Sequence, residues 1–260
     1  MYHRSEGELT CKDTFLNENA EQHQRFFITN NNDIHHIKSV MRQNVGDALI
    51  INFLNAVTYR CKIIDIEAQR ITIETVERIE VETELPLNIT ICSGLIKGDK
   101  YEWLLQKATE LGATSFIITQ MDRSVVKLNQ QKAAKKVERW QKIVKEAAEQ
   151  SYRQAVPQVK FVSNLHEIYD MIGQYDCVLM AYEAAAKQNE RALFKQQLRQ
   201  FKHGSHVLLL FGPEGGFSEN EIALFEDVAQ SVGLGPRILR AETAPLYALS
   251  AISYEIELMG

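Results

Sequence analysis

The feature that most constrains this chain is a short apolar run that ends in a cluster of glycines. Val207 to Phe211 is apolar throughout, which is typical of a strand buried on both faces of a parallel sheet. Three glycines follow it: Gly212, Gly215 and Gly216. Glycine allows a backbone to adopt positive φ and to approach a ligand closely. Ser218 and Glu221 then form the S-x-x-E capping box that begins a helix, so the stretch predicts a ligand-binding loop at the carboxyl end of a sheet.

The spacing of these glycines excludes the two commonest nucleotide-binding loops. A dinucleotide site needs G-x-G-x-x-G, and a P-loop needs a Lys-Ser/Thr pair after its last glycine; neither is present. A second glycine turn, Gly233 and Gly235, precedes the apolar Ile238 and Leu239 and then Arg240. Two loops with apolar neighbours and few charges favour a flat heterocycle held by backbone N–H and C=O groups. Two ordinary tight turns in a sheet are the alternative.

Composition limits the class of protein. A chain of 260 residues, 45% of them hydrophobic, can bury a large core and has room for two domains. Its four cysteines are widely spaced, which predicts neither a metal site nor a disulfide framework. The polar N-terminus and the lack of any 18-residue apolar stretch predict a cytoplasmic protein with no membrane partner.

Charge is distributed unevenly along the chain. The formal net charge of −5 argues at first against a nucleic-acid partner. From Arg123 to Lys145, however, there are eight basic residues and a single acid, Glu138. A local basic surface is sufficient to attract phosphates. A solvated helix face is the alternative that charge alone leaves open.

The first third of the chain predicts a small β-rich domain. Residues 1–23 are polar and lack periodicity, and we expect a flexible N-terminal extension there. Residues 24–84 contain period-two stretches and one short helix, which are typical of a partly closed barrel. The pattern changes around Pro86, so a second domain is expected over residues 87–260.

In this second domain, strands and helices alternate, which predicts an α/β fold with a parallel sheet covered on both faces. Strands are expected near Ile89–Cys92, Phe116–Thr119, Val159–Val162, Cys177–Tyr182 and Val207–Phe211. Helices are expected after Asp99 and near Asn129–Ser151, Leu165–Ile172, Asn189–Phe201, Glu219–Ser231 and Pro245–Leu258.

Two motifs carry a resemblance to a known family. Gly212-Pro-Glu-Gly-Gly-Phe-Ser and Leu234-Gly-Pro-Arg-Ile-Leu-Arg-Ala-Glu-Thr-Ala closely resemble motifs of the RsmE family of SPOUT-class, trefoil-knotted methyltransferases. Further matching segments are His35 to Arg42, Gly46-Asp47, Lys97 to Trp103, Gln106 to Gly112, Arg123 to Lys127 and Glu146 to Arg153. The resemblance covers the chain from about Gln24 to its C-terminus.

The resemblance implies a fold, a reaction and partners. The fold is a SPOUT-type parallel sheet with a C-terminal trefoil knot, preceded by a PUA-like β-barrel that binds RNA. The reaction is methylation of N3 of a specific uridine in 16S ribosomal RNA of the small ribosomal subunit, with S-adenosylmethionine as the methyl donor. The assembly is a homodimer, for which the C-terminal helix offers Leu246, Leu249, Ile252 and Ile256. Filling the core of a monomer is the alternative role for these four residues.

The resemblance also assigns the cofactor to three segments of the chain. These are the end of the strand at Ala181, the loop at Gly212, and the segment before Arg240. The expected cofactor-binding residues are Ala181, Tyr182, Phe211, Gly212, Gly215, Leu234, Gly235, Ile238, Leu239 and Ala244.

Methylation at N3 requires the enzyme to stabilise a uracil anion or to remove its proton. Arg240, next to the cofactor segment, is the first candidate for anion stabilisation. Glu242 is the second catalytic candidate, as a proton acceptor or as a group that orients Arg240; a purely structural ion pair is its alternative. Glu214 would either face the sulfonium or cap the helix that follows.

The candidate RNA-binding residues are basic side chains in both domains. They are Arg25, Arg42, Arg123, Lys127, Lys135, Lys136, Arg139 and Arg153. Two rival functions remain open: an inactive RNA-binding or ribosome-assembly protein of the same fold, and a nucleotide or sugar-phosphate enzyme with an unusual glycine loop. Binding of S-adenosylmethionine would separate both rivals from the methyltransferase.

Overall fold

The computed structural model describes residues 14–16, 18–55, 57–80, 82–182 and 191–259. The chain forms two compact units. The first ends at Glu84 and also includes Ala148–Ala155, whereas the second contains Leu85–Ala147 and Val156–Gly260.

The first unit contains a five-stranded sheet and one short helix. Its elements are β1 (Thr14–Leu16), β2 (Arg25–Ile28), α1 (Asn31–His35, continued by the π-helical turn His36–Val40), β3 (Ala48–Phe53), β4 (Thr58–Ile66) and β5 (Ile71–Ile79). The strand order is β1-β3-β4-β5-β2, with β1 parallel to β3 and the other pairs antiparallel. Ile28, Ile37, Ile51, Ile63 and Ile73 are fully buried in its core.

The prediction of a flexible extension over residues 1–23 is wrong for the described part of that segment. Strand β1 pairs with β3 in the register Thr14↔Ile51, and Ala20 is buried. A three-residue strand is too short to show periodicity in the sequence, so only its tertiary pairing reveals it. Residues 1–13 lie outside the described part of the chain.

The segment Ala148–Ala155 is built into the first unit through a buried arginine. The Arg153 side chain is 2% exposed and forms an ion pair with Glu84. The Glu84 carboxylate also accepts hydrogen bonds from the backbone N–H groups of Gln154 and Ala155. This corrects the expectation that Arg153 binds RNA, because a guanidinium buried against a carboxylate does not reach a phosphate at the surface.

The second unit contains a six-stranded, entirely parallel sheet of order β11-β9-β10-β6-β7-β8. Its strands are β6 (Asn88–Gly94), β7 (Ser115–Thr119), β8 (Gln158–Val162), β9 (Cys177–Ala181), β10 (His206–Phe211) and β11 (Gln230–Val232). Its helices are α2 (Lys100–Glu110), α3 (Gln130–Gln150), α4 (Leu165–Tyr169), the 3₁₀ turn Ile172–Gln174, α5 (Arg191–Leu198), α6 (Glu219–Phe225) and α7 (Ala244–Ser253), which continues as the π-helical turn Tyr254–Leu258.

The central strand β10 has the burial that its apolar run predicts. Val207, Leu209 and Phe211 belong to one hydrophobic cluster, whereas Leu208 and Leu210 belong to another on the opposite face. Burial on both faces explains why the run is apolar without alternation. The predicted parallel sheet is therefore confirmed.

One predicted helix is too long. The helix expected over Glu219–Ser231 ends at Phe225, and Gln230–Val232 forms the edge strand β11. The predicted start of another helix, at Asn189, lies outside the described residues. Among the residues that the structure describes, no helix is both long enough and apolar enough to cross a membrane, and no group of three or more His, Cys, Asp or Glu side chains is arranged to hold a metal ion.

Candidate active site

The register of three neighbouring strands brings the two glycine segments together. Phe211 of β10 lies beside Ala181 of β9, and Val232 of β11 lies on the other side of Ala181. The N–H of Tyr182 donates to the Val232 carbonyl over 3.2 Å. The loops that follow β10 and β11 therefore leave the same carboxyl edge of the sheet, with only strand β9 between them. We call Gly212–Ser218 the first glycine loop and residues 233–239 the second glycine loop.

The first glycine loop is held by the protein itself. The Gly216 N–H donates to the Pro213 carbonyl over 2.9 Å. The Lys97 N–H donates to Glu214 Oε1 over 2.9 Å, and Arg123 Nη1 donates to the Gly215 carbonyl over 3.2 Å. Glu214 thus anchors the loop to the residues after β6.

Small residues in this loop are required by internal packing. A Cβ on Gly212 would lie 2.9 Å from the Gly216 carbonyl carbon, and a Cβ on Gly215 would lie 2.8 Å from the Arg123 Cβ. Of the three glycines in this loop, only Gly216 has positive φ, at +69°. The expectation that these glycines serve backbone freedom is therefore correct for Gly216, while Gly212 and Gly215 serve close packing within the protein.

The predicted capping box fixes the end of the loop. The Glu221 N–H donates to Ser218 Oγ over 3.2 Å, and the Ser218 N–H donates to Glu221 Oε2 over 2.7 Å. The other oxygen of the buried Glu221 carboxylate accepts the Asp122 N–H over 2.7 Å. The Ser218 hydroxyl donates to Asp122 Oδ2 over 2.6 Å. Helix α6 is thus capped by Ser218 together with Glu221, and the Glu221 carboxylate joins the loop after β7 to the first glycine loop.

The second glycine loop differs from the first because its backbone N–H groups are not hydrogen-bonded to other described residues. Within the described part of the chain, the backbone N–H groups from Leu234 to Leu239 donate no hydrogen bond, Pro236 having no N–H group. The Ile238 side chain is 78% exposed. Gly235 has φ of +98°, and a Cβ built there would lie 3.6 Å from the Tyr247 hydroxyl. Open donors beside an exposed apolar side chain can hold a planar polar ligand.

Arg240 and Glu242 lie between this loop and α7. The Arg240 side chain is exposed, and its carbonyl accepts the N–H groups of Thr243 and Ala244 over 2.9 and 3.0 Å. The Glu242 carboxylate is nearly buried and pairs with Lys100 Nζ at 2.9 Å. Sequence reasoning missed Lys100, because a pair 142 positions apart in the chain leaves no spacing signal.

The environment of Glu242 keeps it ionised. Burial alone raises the pKa of this carboxyl, but the hydrogen bonds from Lys100 and from the backbone, with the positive charges of Lys100 and Arg240, lower the pKa below its usual value. A carboxylate with a lowered pKa is a weak proton acceptor. The environment therefore argues against a general-base role for Glu242 and favours the alternative of an ion pair, here with Lys100.

The candidate RNA-binding residues of the second unit lie on its surface. Lys127, Lys135 and Lys136 are exposed, and Lys136 Nζ lies 5.5 Å from the centroid of the buried Trp140 ring. Arg139 pairs with Glu102 at 2.6 Å but remains largely exposed. Arg123 is also exposed, although its guanidinium contacts the first glycine loop.

Two further candidates belong to the first unit. Arg25, on the edge strand β2, pairs with Glu74 at 3.0 Å and is 65% exposed. Arg42 is exposed and adopts φ of +55° just after the π-helical turn. On the same strand β2, the ring of Phe27 is 48% exposed, and the Arg70 guanidinium lies 5.0 Å from the centroid of this ring.

The two units correspond to two known protein families. Residues 83–253 match a family model described as an RNA methyltransferase domain. Residues 28–76 match a model described as an RNA methyltransferase PUA domain. The fold thus combines a SPOUT-type methyltransferase domain with an N-terminal PUA-like domain, as the sequence motifs implied.

Similar proteins and solved structures identify the family more narrowly within the RNA methyltransferases. The ribosomal RNA small subunit methyltransferase E of Bacillus subtilis (strain 168) is 46% identical over 243 residues, which cover 93% of this chain and 94% of the relative. The crystal structure of ribosomal RNA small subunit methyltransferase E from Neisseria gonorrhoeae bound to S-adenosyl methionine has a TM-score of 0.78 at 29% identity, covering 94% of this chain and 97% of that one. A crystal structure described as a hypothetical protein has a TM-score of 0.87 at 43% identity, covering 95% and 100%. The chain belongs to the ribosomal RNA small subunit methyltransferase E family of RNA methyltransferases.

Proposed function

We propose that this protein transfers a methyl group from S-adenosylmethionine to N3 of a uridine in the 16S ribosomal RNA of the small ribosomal subunit. The observation that carries the proposal is the second glycine loop, whose backbone donors and Ile238 side chain stand open beside Arg240. Family membership supports methyl transfer to ribosomal RNA, and the donor-bound relative supports the choice of donor.

The residues present at this edge of the sheet fit S-adenosylmethionine. The donor has a planar adenine and a ribose and carries no phosphate, so it needs hydrogen-bonding backbone and apolar contacts rather than a lysine-bearing loop. The open N–H groups from Leu234 to Leu239 and the exposed Ile238 supply these contacts. Ala181, Tyr182, Phe211, Gly212, Gly215 and Ala244 complete the proposed donor site.

Arg240 is the residue that we propose stabilises the uracil anion. When bound, S-adenosylmethionine supplies an electrophilic methyl group. Uracil N3 is protonated at neutral pH, and negative charge develops on the O2 and O4 edge as the proton leaves. The Arg240 guanidinium offers paired donors to that edge and does not lose its own proton. Glu242 is proposed to stay ionised in its ion pair with Lys100 rather than to accept the proton.

RNA binding is proposed to involve both units. The exposed lysines of α3 supply a local positive field despite the net charge of −5. The PUA-like unit contributes Arg25 and Arg42. Because the proposed substrate is ribosomal RNA, we expect the protein in the cytoplasm.

We propose a homodimer as the active form. Two of the four residues of α7 that were predicted to form the interface are, however, buried in the core of their own unit. Leu249 and Ile252 of α7 are fully buried within their own unit, which favours the alternative role for these two residues. Tyr247, Tyr254 and Leu258 along the same C-terminal segment are 40%, 55% and 72% exposed. These exposed side chains are the ones that we expect to pack on a second copy. The trefoil knot implied by the sequence motifs stays a prediction.

Methyl transfer to isolated small subunits tests the proposal. The protein would be incubated with purified 30S subunits and S-adenosylmethionine, and nucleosides from the digested 16S RNA would be separated by mass. We expect one new 3-methyluridine for each subunit, at a single position. RNA binding without methylation would instead support the inactive assembly factor, and methylation of another atom would overturn the assignment to N3.

A further inference from the structure

The ion pair between Lys100 and Glu242 joins two distant parts of the second unit. Lys100 is the first residue of α2, and Glu242 lies two positions before the first residue of α7. Their charged atoms are 2.9 Å apart, and the Glu242 side chain is 11% exposed whereas that of Lys100 is 44% exposed. A nearly buried carboxylate needs a cationic partner or hydrogen-bond donors to remain ionised.

Two cations act on this one carboxylate. Arg240 lies two positions before Glu242, and its positive charge also favours the ionised form of Glu242. Within the part of the chain that the structure describes, however, the Arg240 side chain forms no ion pair. The carboxylate is therefore held by Lys100, and the Arg240 guanidinium remains exposed.

The turn that precedes Lys100 also holds the first glycine loop. Three residues before Lys100, the Lys97 N–H donates to Glu214 Oε1 over 2.9 Å. Residues 97–100 thus contact the first glycine loop through a backbone donor and Glu242, three residues beyond the second glycine loop, through a side chain. These two contacts place the Lys100 ammonium group beside the proposed active site.

We propose that Lys100 is a positioning residue that holds Glu242 away from Arg240 and so leaves the guanidinium free to bind the uracil edge. This inference rests on the proposed role of Arg240. If Lys100 loses its charge, Glu242 still requires a cationic partner, and Arg240 becomes that partner. An Arg240 guanidinium paired with Glu242 offers fewer donors to uracil, and its charge is offset by the carboxylate.

The first test compares single-turnover methyl transfer to 30S subunits at saturating donor. Lys100→Met should slow transfer on the order of 100-fold, as loss of an anion-stabilising donor does. Lys100→Arg keeps the cation and should stay within a few-fold of the unsubstituted protein. Lys107→Met is the matched control, because Lys107 lies on the same helix and pairs with Glu110 at 2.8 Å outside the proposed site. A wild-type rate for Lys100→Met would overturn the inference.

Double variants separate positioning from simple destabilisation. In the Arg240→Ala background, Lys100→Met should cause no further loss of rate, because the residue through which it acts is gone. Glu242→Gln should restore much of the rate lost in Lys100→Met, since no carboxylate remains to capture Arg240. Additive losses, or no recovery, would contradict the inference. If Arg240→Ala itself transfers methyl at the wild-type rate, the proposed role of Arg240 fails first; if Arg240→Ala is slow but Lys100→Met is not, only the inference about Lys100 fails.

Discussion

The two glycine loops leave the same edge of the sheet but are built in opposite ways. The first is tied to its surroundings through Glu214, Gly215 and Glu221, and its glycines fit closely against neighbouring protein atoms. The second makes no such contacts through its backbone N–H groups from Leu234 to Leu239 within the described residues. Similar sequence composition therefore corresponds to two different roles.

The difference shows how a glycine-rich motif should be interpreted. Glycine in the first loop allows protein to pack against protein, so this loop acts as a rigid support. The second loop retains unsatisfied donors and an exposed Ile238, so it has the groups that a ligand can use. A rigid support beside an open loop is how a preorganised site is built.

The largest effect should come from filling the space at Gly212. A valine side chain there would overlap the Gly216 backbone, 2.9 Å from the added Cβ, so the first loop cannot keep its conformation. Thermal unfolding should show a lower midpoint, and isothermal titration should show loss of donor binding. Gly216→Ala is the control, because its Cβ would meet open space and the only cost is the positive φ, about 1–2 kcal/mol. Equal behaviour of the two variants would show that the loop is not closely packed.

Removal of Arg240 should rank next and should affect a different step. Arg240→Ala should slow methyl transfer on the order of 100-fold while the affinity for the donor stays unchanged. Arg240→Lys keeps the charge but loses the paired donors, so its rate should lie between that of the unsubstituted protein and that of Arg240→Ala. Single-turnover kinetics gives the methyl-transfer rate, and isothermal titration of the same preparations gives the affinity for the donor. An unchanged rate for Arg240→Ala would transfer the role to another group, with Arg123 of the second copy in the proposed homodimer as the next candidate.

The buried carboxylate of Glu221 should contribute mainly to stability. Glu221→Ala leaves the Ser218 and Asp122 N–H groups without their acceptor, which should cost about 1–3 kcal/mol of unfolding free energy. Chemical denaturation measures this change. Glu219, an exposed residue in the first turn of the same helix, provides the control, and Glu219→Ala should change stability by less than about 0.5 kcal/mol. If Glu219→Ala lowers the unfolding free energy as much as Glu221→Ala does, the effect comes from negative charge at the start of the helix rather than from the capping box.

The smallest effect on the donor site should come from the basic helix α3. Glutamate at both Lys135 and Lys136 should weaken RNA binding and lower the salt slope of log K by about one for each phosphate that the protein no longer binds. Donor affinity should not change. The matched control is Lys202→Glu, which reverses the charge of an exposed lysine elsewhere in the same unit. RNA affinity that is insensitive to salt would count against α3 as a phosphate-binding surface.

Much of the fold was predictable because its signals are local. The apolar run of β10 and the Ser218–Glu221 box each lie within a few residues, and the structure confirms both. Strands β1 and β11 were missed because each has three residues and is stabilised only by pairing with a distant strand. Strand pairing of this kind depends on tertiary context rather than on intrinsic propensity.

The site was predictable at the level of segments but not of partners. Sequence motifs pointed to both glycine loops and to Arg240 and Glu242. They gave no sign that Lys100 pairs with Glu242, or that Arg153 is buried against Glu84, because these pairs are 142 and 69 positions apart. A charged residue in a sequence does not reveal whether its partner is a carboxylate of the same chain or a phosphate of a ligand.

Amide hydrogen exchange with and without S-adenosylmethionine tests most directly whether the second glycine loop holds the donor. If this loop holds the donor, peptides covering Leu234 to Leu239 should exchange rapidly in the free protein and become protected when the donor is added. The amides of Ser218 and Glu221, which are already hydrogen-bonded, should exchange slowly in both conditions. Unchanged exchange at Leu234 to Leu239 under saturating donor would show that the donor does not bind the second glycine loop.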